Sequence, residues 1–224
     1  MTNPPASGTL VVHHLGRSQS ERIVWLCEEL DIDYELVRHE RRADNRMAPP
    51  GYKALHPMGT APIVVDGPVV LGESAAIVDY VLATRGDGRL AVAPGQPGFA
   101  DYLYWFHFAN GTLQPMVLQL WMLERLDATG EHAIVQSARR RFELVISTVD
   151  ARLAAAPFLA GPALTAADIM AVFSLTTMRL FKPFDLSPWP NILAWLQRIG
   201  DRPAYRRAMR LADPDLVPVL GATP

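Results

Sequence analysis

His56-Pro-Met-Gly-Thr-Ala-Pro-Ile-Val-Val-Asp-Gly-Pro-Val-Val-Leu-Gly-Glu-Ser-Ala-Ala-Ile-Val-Asp-Tyr80 is the stretch whose reading decides the fold. Ile63-Val64-Val65 and Val69-Val70-Leu71 are short apolar runs rich in β-branched residues, and Asp66-Gly67-Pro68 between them is a turn signal, so the segment predicts a tight hairpin. Pro62 supplies no ladder donor and predicts an edge or an entry point at the start of the first run. Ala75, Ala76, Ile77, Val78, Tyr80 and Val81 then follow at helical spacing, which puts Glu73 and Ser74 in the first turn of a helix. Unpaired N–H groups and the positive end of the helix dipole gather there. A ligand carboxylate suits Ser74 and a ligand ammonium suits Glu73, a pairing that reads an α-amino acid head group. The same two residues also suit ordinary helix capping.

Working outward toward the amino terminus, Thr9 to Leu15 reads as a strand, and Ser20 to Leu30 as a helix with Ile23, Leu26, Cys27 and Leu30 on one face. Cys27 therefore points to the core as a small hydrophobe rather than a reactive thiol. His13 and His14 are neighbours on a strand, so their side chains leave opposite faces and do not share a metal ion. Ser18 and Ser20 stand at the loop before the first helix, and one of them is expected to cap it. Tyr34 to Val37 reads as a second strand. Arg38 to Arg46, with four arginines and a histidine, reads as solvated connection.

Beyond the hairpin and its helix, Gly86-Asp-Gly and Pro94-Gly-Gln-Pro-Gly98 mark a linker. From Phe99 the chain reads helical. Phe99 to Leu126 is one long segment kinked at Gly111 and Pro115, and Glu131 to Ala156 is a second, with Arg139-Arg140-Arg141 on a solvated face. Thr165-Ala-Ala-Asp168 is a capping-box pattern with Asp in the Glu place. Ser187-Pro-Trp-Pro190 breaks the chain before two short helices, near Asn191 to Ile199 and Pro203 to Leu211, and the Pro-rich end reads as a tail. The expected architecture is an α/β thioredoxin-like domain over 8–85 (βαβ then ββα), a linker over 86–98 and an all-α helical bundle over 99–215.

Composition narrows the function. The chain has 224 residues, a formal net charge of -2 and half its residues hydrophobic, so it has material for one large or two modest cores and no basic excess for nucleic acid or anionic membrane. A lone cysteine excludes an intrachain disulfide, a CxxC pair and a Cys-rich zinc site. Met1 to Gly8 carries no basic leader and Leu10-Val11-Val12 is too short to span a bilayer, which predicts a soluble cytoplasmic protein.

The run Pro-x-Gly-x-x-Pro, a hairpin, then Glu-Ser-x-Ala-Ile resembles the glutathione-binding half of the cytosolic glutathione transferases, and strand, Ser-containing loop, Arg-x-x-x-Leu-x-x-Glu-Leu resembles their serine-type bacterial members. The capping box resembles the one that starts the central helix of that family's helical domain. The resemblance implies a cis Pro62, backbone pairing of Ala61 with the cysteinyl residue of glutathione, and Glu73 and Ser74 on its γ-glutamyl end. It implies a hydroxyl bonded to the glutathione sulfur, with Ser18 in the more usual place, counted back from Arg22, and Ser20 as second candidate. Thr60 stands where the family has Lys or Gln, which leaves Lys53 and His56, or a cation after the second strand, as candidates for the glycyl carboxylate. The electrophile pocket is expected between the domains at Leu15, Tyr104, His107, Phe108 and Gly111, although aromatic residues at helical spacing also suit a core. The implied function is a homodimeric transferase that sets the thiolate of its cosubstrate glutathione against a small hydrophobic electrophile, without a metal. A non-catalytic binding or assembly protein on the same fold is the alternative.

Overall fold

The computed structural model describes residues 8–127 and 129–224. Most of the amino-terminal stretch read for a leader lies outside them. Among the described residues no helix is long and apolar enough to cross a membrane. The backbone separates into two compact units, one of residues up to Ala91 together with Asp201–Pro218, the other of Val92–Gly200 together with Val219–Pro224.

The first unit is built on four strands, β1 (Leu10–Leu15), β2 (Tyr34–His39), β3 (Ile63–Asp66) and β4 (Val69–Gly72), in the order β2-β1-β3-β4. β1 runs parallel to β2 and antiparallel to β3, which in turn pairs antiparallel with β4. The parallel step needs a crossover, and α1 (Glu21–Leu30) supplies it; the antiparallel step needs only the turn at Gly67, which sits at φ 57. β3 is thus an interior strand, and Pro62 marks its entry rather than a sheet edge. The missing donor falls one residue outside the ladder, so the interior position is tolerated. A short helix, α2 (Pro50–Lys53), precedes the hairpin, and α3 (Ser74–Arg85) follows it.

Two expectations about the end of the chain change. Residues expected in the helical bundle, Asp201 to Asp215, group with the first unit, because the last helix, Pro203–Ala212, packs on α1. Trp25 and Tyr205 meet edge to face at 5.0 Å, Arg202 donates twice to Glu29 at 2.6 and 2.7 Å, and Arg207 donates to Glu28 at 2.8 Å. The Pro-rich end is no loose tail either. Asp213 is tied to His14 and Arg17, and Ala222 accepts a hydrogen bond from the Leu186 N–H, so backbone and carboxylate partners hold it where composition alone predicts freedom.

The second unit holds α4 (Phe99–Phe108), α5 (Gln114–Leu126), α6 (Ala133–Ala155), α7 (Ala166–Leu175) and α8 (Pro190–Gly200); the helix on α1 is then α9 (Pro203–Ala212). The long helix expected from Phe99 to Leu126 is divided not by a proline kink but by a π-helical turn, Ala109–Leu113, with Pro115 in the first turn of α5 where its missing N–H is harmless. Every residue of α7 is buried. Its start is the predicted capping box: Thr165 Oγ1 accepts from the Ala167 N–H at 3.3 Å, and Asp168 Oδ2 accepts from the Thr165 N–H at 3.0 Å. Asp168 also accepts from the Leu159 N–H and from Trp195 Nε1, both at 2.9 Å, so one buried carboxylate joins α7, α8 and the preceding loop.

Candidate active site

The site is assembled at the ends of β1 and β3 and the starts of α1 and α3. The Ala61–Pro62 peptide is cis. Ala61 packs against the cluster of Leu15, Ala48, Tyr52 and Ile63, which fixes the backbone just before β3. Gln19 Nε2 donates to the Ala61 carbonyl at 2.8 Å, and Arg22 donates to Gln19 Oε1 at 2.9 Å and to Ser74 Oγ at 3.2 Å. The loop between the two serines, the cis-proline backbone and the start of α3 therefore form one hydrogen-bonded constellation. Arg22 is fully buried, and that burial lowers its pKa to about 9 against the charge of Glu21, which still leaves a cation at neutral pH. Neither Gln19 nor Arg22 is a site candidate from sequence pattern, because polar residues just before a helix and in its first turn normally face water.

Glu73 sits at φ 66 and ψ 113, a conformation rare for any residue with a Cβ, and it points an exposed side chain outward at the α3 N-terminus while Ser74 is buried. The two residues are thus divided between a solvent-facing carboxylate and an inward hydroxyl beside Arg22.

The serines correct the capping expectation. Ser20 occupies the N-cap position of α1 but its hydroxyl makes no cap bond. It accepts from the Leu15 N–H at 3.1 Å, contacts Ser18 Oγ at 2.7 Å and His14 Nδ1 at 2.9 Å, and lies at 3.5 Å from the Leu15 carbonyl. Ser18 Oγ accepts from the Ser20 N–H at 3.2 Å. On its other side His14 Nε2 meets Asp213 Oδ2 at 3.1 Å, and Asp213 accepts from the Arg17 N–H at 3.0 Å. Burial alone would raise the Asp213 pKa, but the hydrogen bonds and charges of His14 and Arg17 outweigh it and hold the carboxyl below its ordinary range. His13 leaves the opposite face, with Nδ1 at 3.0 Å from His39 Nε2.

The remaining candidates divide. His56 is partly buried, its Nδ1 accepts from the Met58 N–H at 3.3 Å, and its ring lies against Gly72; Lys53 and Thr60 are exposed. A cavity of about 300 Å³ lies instead beside Arg17, Arg41, Arg42 and Arg46, with Glu40 and Asp213 also in its wall. Arg41 is half-buried, donating to the Gly16 carbonyl at 2.8 Å, so the stretch read as solvated connection carries one structural arginine. Leu15 is buried in the core of the first unit. In the second unit Tyr104, His107 and Phe108 line an open cavity of about 490 Å³ with Leu103, Thr112 and Arg141, and Gly111 is exposed on the neighbouring π turn. Cys27 is fully buried, which pushes its thiol up to about 12 and leaves it inert.

Family models for the glutathione S-transferase N-terminal domain and C-terminal domain match residues 17–84 and 104–203. The chain belongs to the glutathione S-transferase family. This transferase is 32% identical over 217 residues to glutathione S-transferase 3 of Schizosaccharomyces pombe, across 89% of this chain and 86% of that relative. Among solved structures it resembles a glutathione S-transferase from Actinobacillus pleuropneumoniae (30% identity, TM-score 0.84, 92% and 93% of the two chains). It also resembles a theta class glutathione S-transferase from Xanthomonas axonopodis solved with glutathione bound (26% identity, TM-score 0.69, 92% and 97%). The thioredoxin-like α/β unit followed by a helical unit, expected from the hairpin and its flanks, is the fold of this family, and the protein is an enzyme, a glutathione transferase.

Proposed function

We propose that the transferase binds glutathione along the first unit and directs its thiolate at a small hydrophobic electrophile. The γ-glutamyl ammonium meets Glu73 and its carboxylate meets Ser74 and the α3 N-terminus; the cysteinyl backbone pairs with Ala61; the sulfur lies at Ser18. The observation that carries this reading is the Gln19 and Arg22 hydrogen-bond bridge, which links the serine loop, Ala61 and Ser74 into a single platform. The arginine cavity suits the glycyl carboxylate better than Lys53 or His56, since Arg46 and Arg17 line it while His56 is engaged with its own loop. Tyr104, His107 and Phe108 are the proposed contacts for the electrophile. A homodimer in a reducing cytoplasm fits the family's paired architecture and the single buried cysteine; a monomer in sedimentation at micromolar concentration contradicts the dimer.

The binding test is calorimetric titration with glutathione. Removal of a charge-assisted hydrogen bond costs about 1.5 to 3 kcal/mol, so Glu73→Ala and Ser74→Ala each weaken affinity by at least about tenfold while slowing the saturated enzyme little. Unchanged affinity in both variants removes glutathione from this site, and a wild type that binds glutathione yet transfers it to no electrophile favours the non-catalytic alternative.

A further inference from the structure

The line Ser18, Ser20, His14, Asp213 is continuous, with heavy-atom steps of 2.7, 2.9 and 3.1 Å, and it lies wholly in the first unit. The direction of each bond follows from its far end. A carboxylate only accepts, so His14 Nε2 carries a proton toward Asp213. In a neutral imidazole Nδ1 then accepts, and Ser20 must donate to it. The single proton of Ser20 is thereby used, so at the 2.7 Å contact Ser18 is the donor and Ser20 the acceptor. In this state the Ser18 proton points inward and is not available to a thiolate, while an Oγ lone pair remains to receive a proton.

We infer that His14, held by Asp213, is the proton acceptor for the glutathione thiol, reached through the hydroxyls of Ser20 and Ser18. The inference rests on glutathione sulfur lying at Ser18, as proposed above. The S–H bond breaks with its electron pair staying on sulfur, and its proton bonds to Ser18 Oγ. The Ser18 proton passes to Ser20 Oγ, and the Ser20 proton passes to His14 Nδ1. Neither serine changes its proton count. Imidazole has become imidazolium against the Asp213 carboxylate, and the Ser18 hydroxyl now points outward and donates to the thiolate it has just produced. One transfer both makes the nucleophile and turns its stabilising hydrogen bond toward it.

The surroundings suit a transient cation on a fully buried ring. Asp213 opposes it directly; Arg17 and Arg41 act on Asp213 from the loop and from beyond β2, and His39 is a titratable ring near enough to feel its charge. Asp213 keeps 14% of its side chain exposed and borders the arginine cavity, which gives the proton a route to solvent once sulfur has bonded to carbon. His14 acts through two hydroxyls, so it is a positioning residue whose signature is a proton balance.

The test is the proton count on glutathione binding by the wild type, measured by calorimetry in buffers of different ionisation heat, beside the ultraviolet absorbance of the bound thiolate. The relay predicts thiolate with well under one proton released per thiolate; release of one proton per thiolate overturns it. Asp213→Asn and Ser20→Ala each interrupt the line, and each is expected to raise the thiol titration midpoint by about one unit, a roughly threefold to eightfold loss of thiolate at neutral pH from a wild-type midpoint one to two units below the free thiol. Ser20→Ala should bind S-methylglutathione, which has no thiol proton, within about twofold of wild type. Wild-type midpoints in both variants overturn the relay and leave the glutathione site standing. Failure of the wild type to bind S-methylglutathione overturns the site and the relay together.

Discussion

At the scale of single residues, the buried carboxylate of Asp168 shows how one side chain serves structure without serving chemistry. It is fully buried, and burial raises its pKa to about 6 despite hydrogen bonds from Leu159, Thr165 and Trp195 that favour the charge. Replacement by Asn removes the charge but also one acceptor oxygen, because an amide nitrogen would face the donors of Thr165. Asp168→Asn is therefore expected to destabilise the fold by about 2 to 4 kcal/mol, as breaking a buried polar network does, with no change in glutathione affinity. Urea unfolding beside calorimetric binding checks both halves. This box was legible in sequence from its spacing alone. The links from Asp168 to Leu159 and Trp195 were not, since they depend on how α8 and the preceding loop return to α7.

At the scale of elements, the hairpin and α3 follow from β-branched runs and a Gly turn, and the residues that the pattern singled out for one head group do fall at one helix start. The serine loop was read less well. Ser20 looks like a cap because it precedes a helix, yet its hydroxyl turns back to Leu15 and His14, a choice made by the strand beside it. The same limit explains His14 and Asp213, separated by 199 positions and joined only because α9 is clamped to α1. In the helical half, Gly111 and Pro115 predict a kink where the chain makes a π turn. Gly111 within it is exposed, has no positive φ, and a Cβ there would meet nothing within 4 Å. Gly111→Ala is expected to stabilise the protein by about 0.5 to 1 kcal/mol, raising Tm by a few degrees. A lowered Tm in differential scanning calorimetry contradicts that account of the turn.

At the scale of the whole molecule, the pH course of stability gathers opposing terms. Burial first, and then the charge of His39, lowers the His13 pKa, while burial and the charge of His14 lower that of His39; the His13 and His39 rings are bonded at 3.0 Å. The unfolded chain, with ordinary histidines near ~6.5, takes up protons before the folded one, so stability from this pair is complete above that pH and is lost as pH falls. Asp213, Glu124, Asp127 and Asp185, all held below the ordinary carboxyl range, contribute stability that is lost only in stronger acid, below about 4. Asp168 runs the other way between about 4 and 6, where the folded state holds the extra proton and stability falls as pH rises. The double variant His13→Gln, His39→Gln should accordingly lose less stability than wild type between pH 7 and 5, read from urea midpoints; parallel curves contradict the assignment. Activity places a different demand on the same molecule, that a thiol of ordinary pKa near ~8.5 ionise at Ser18. The most direct measurement is the ultraviolet titration of enzyme-bound glutathione thiolate in wild type and Ser18→Ala. The account predicts a wild-type midpoint roughly one to two units below the free thiol and a Ser18→Ala midpoint returned toward it with glutathione still bound; equal midpoints in the two proteins would contradict it.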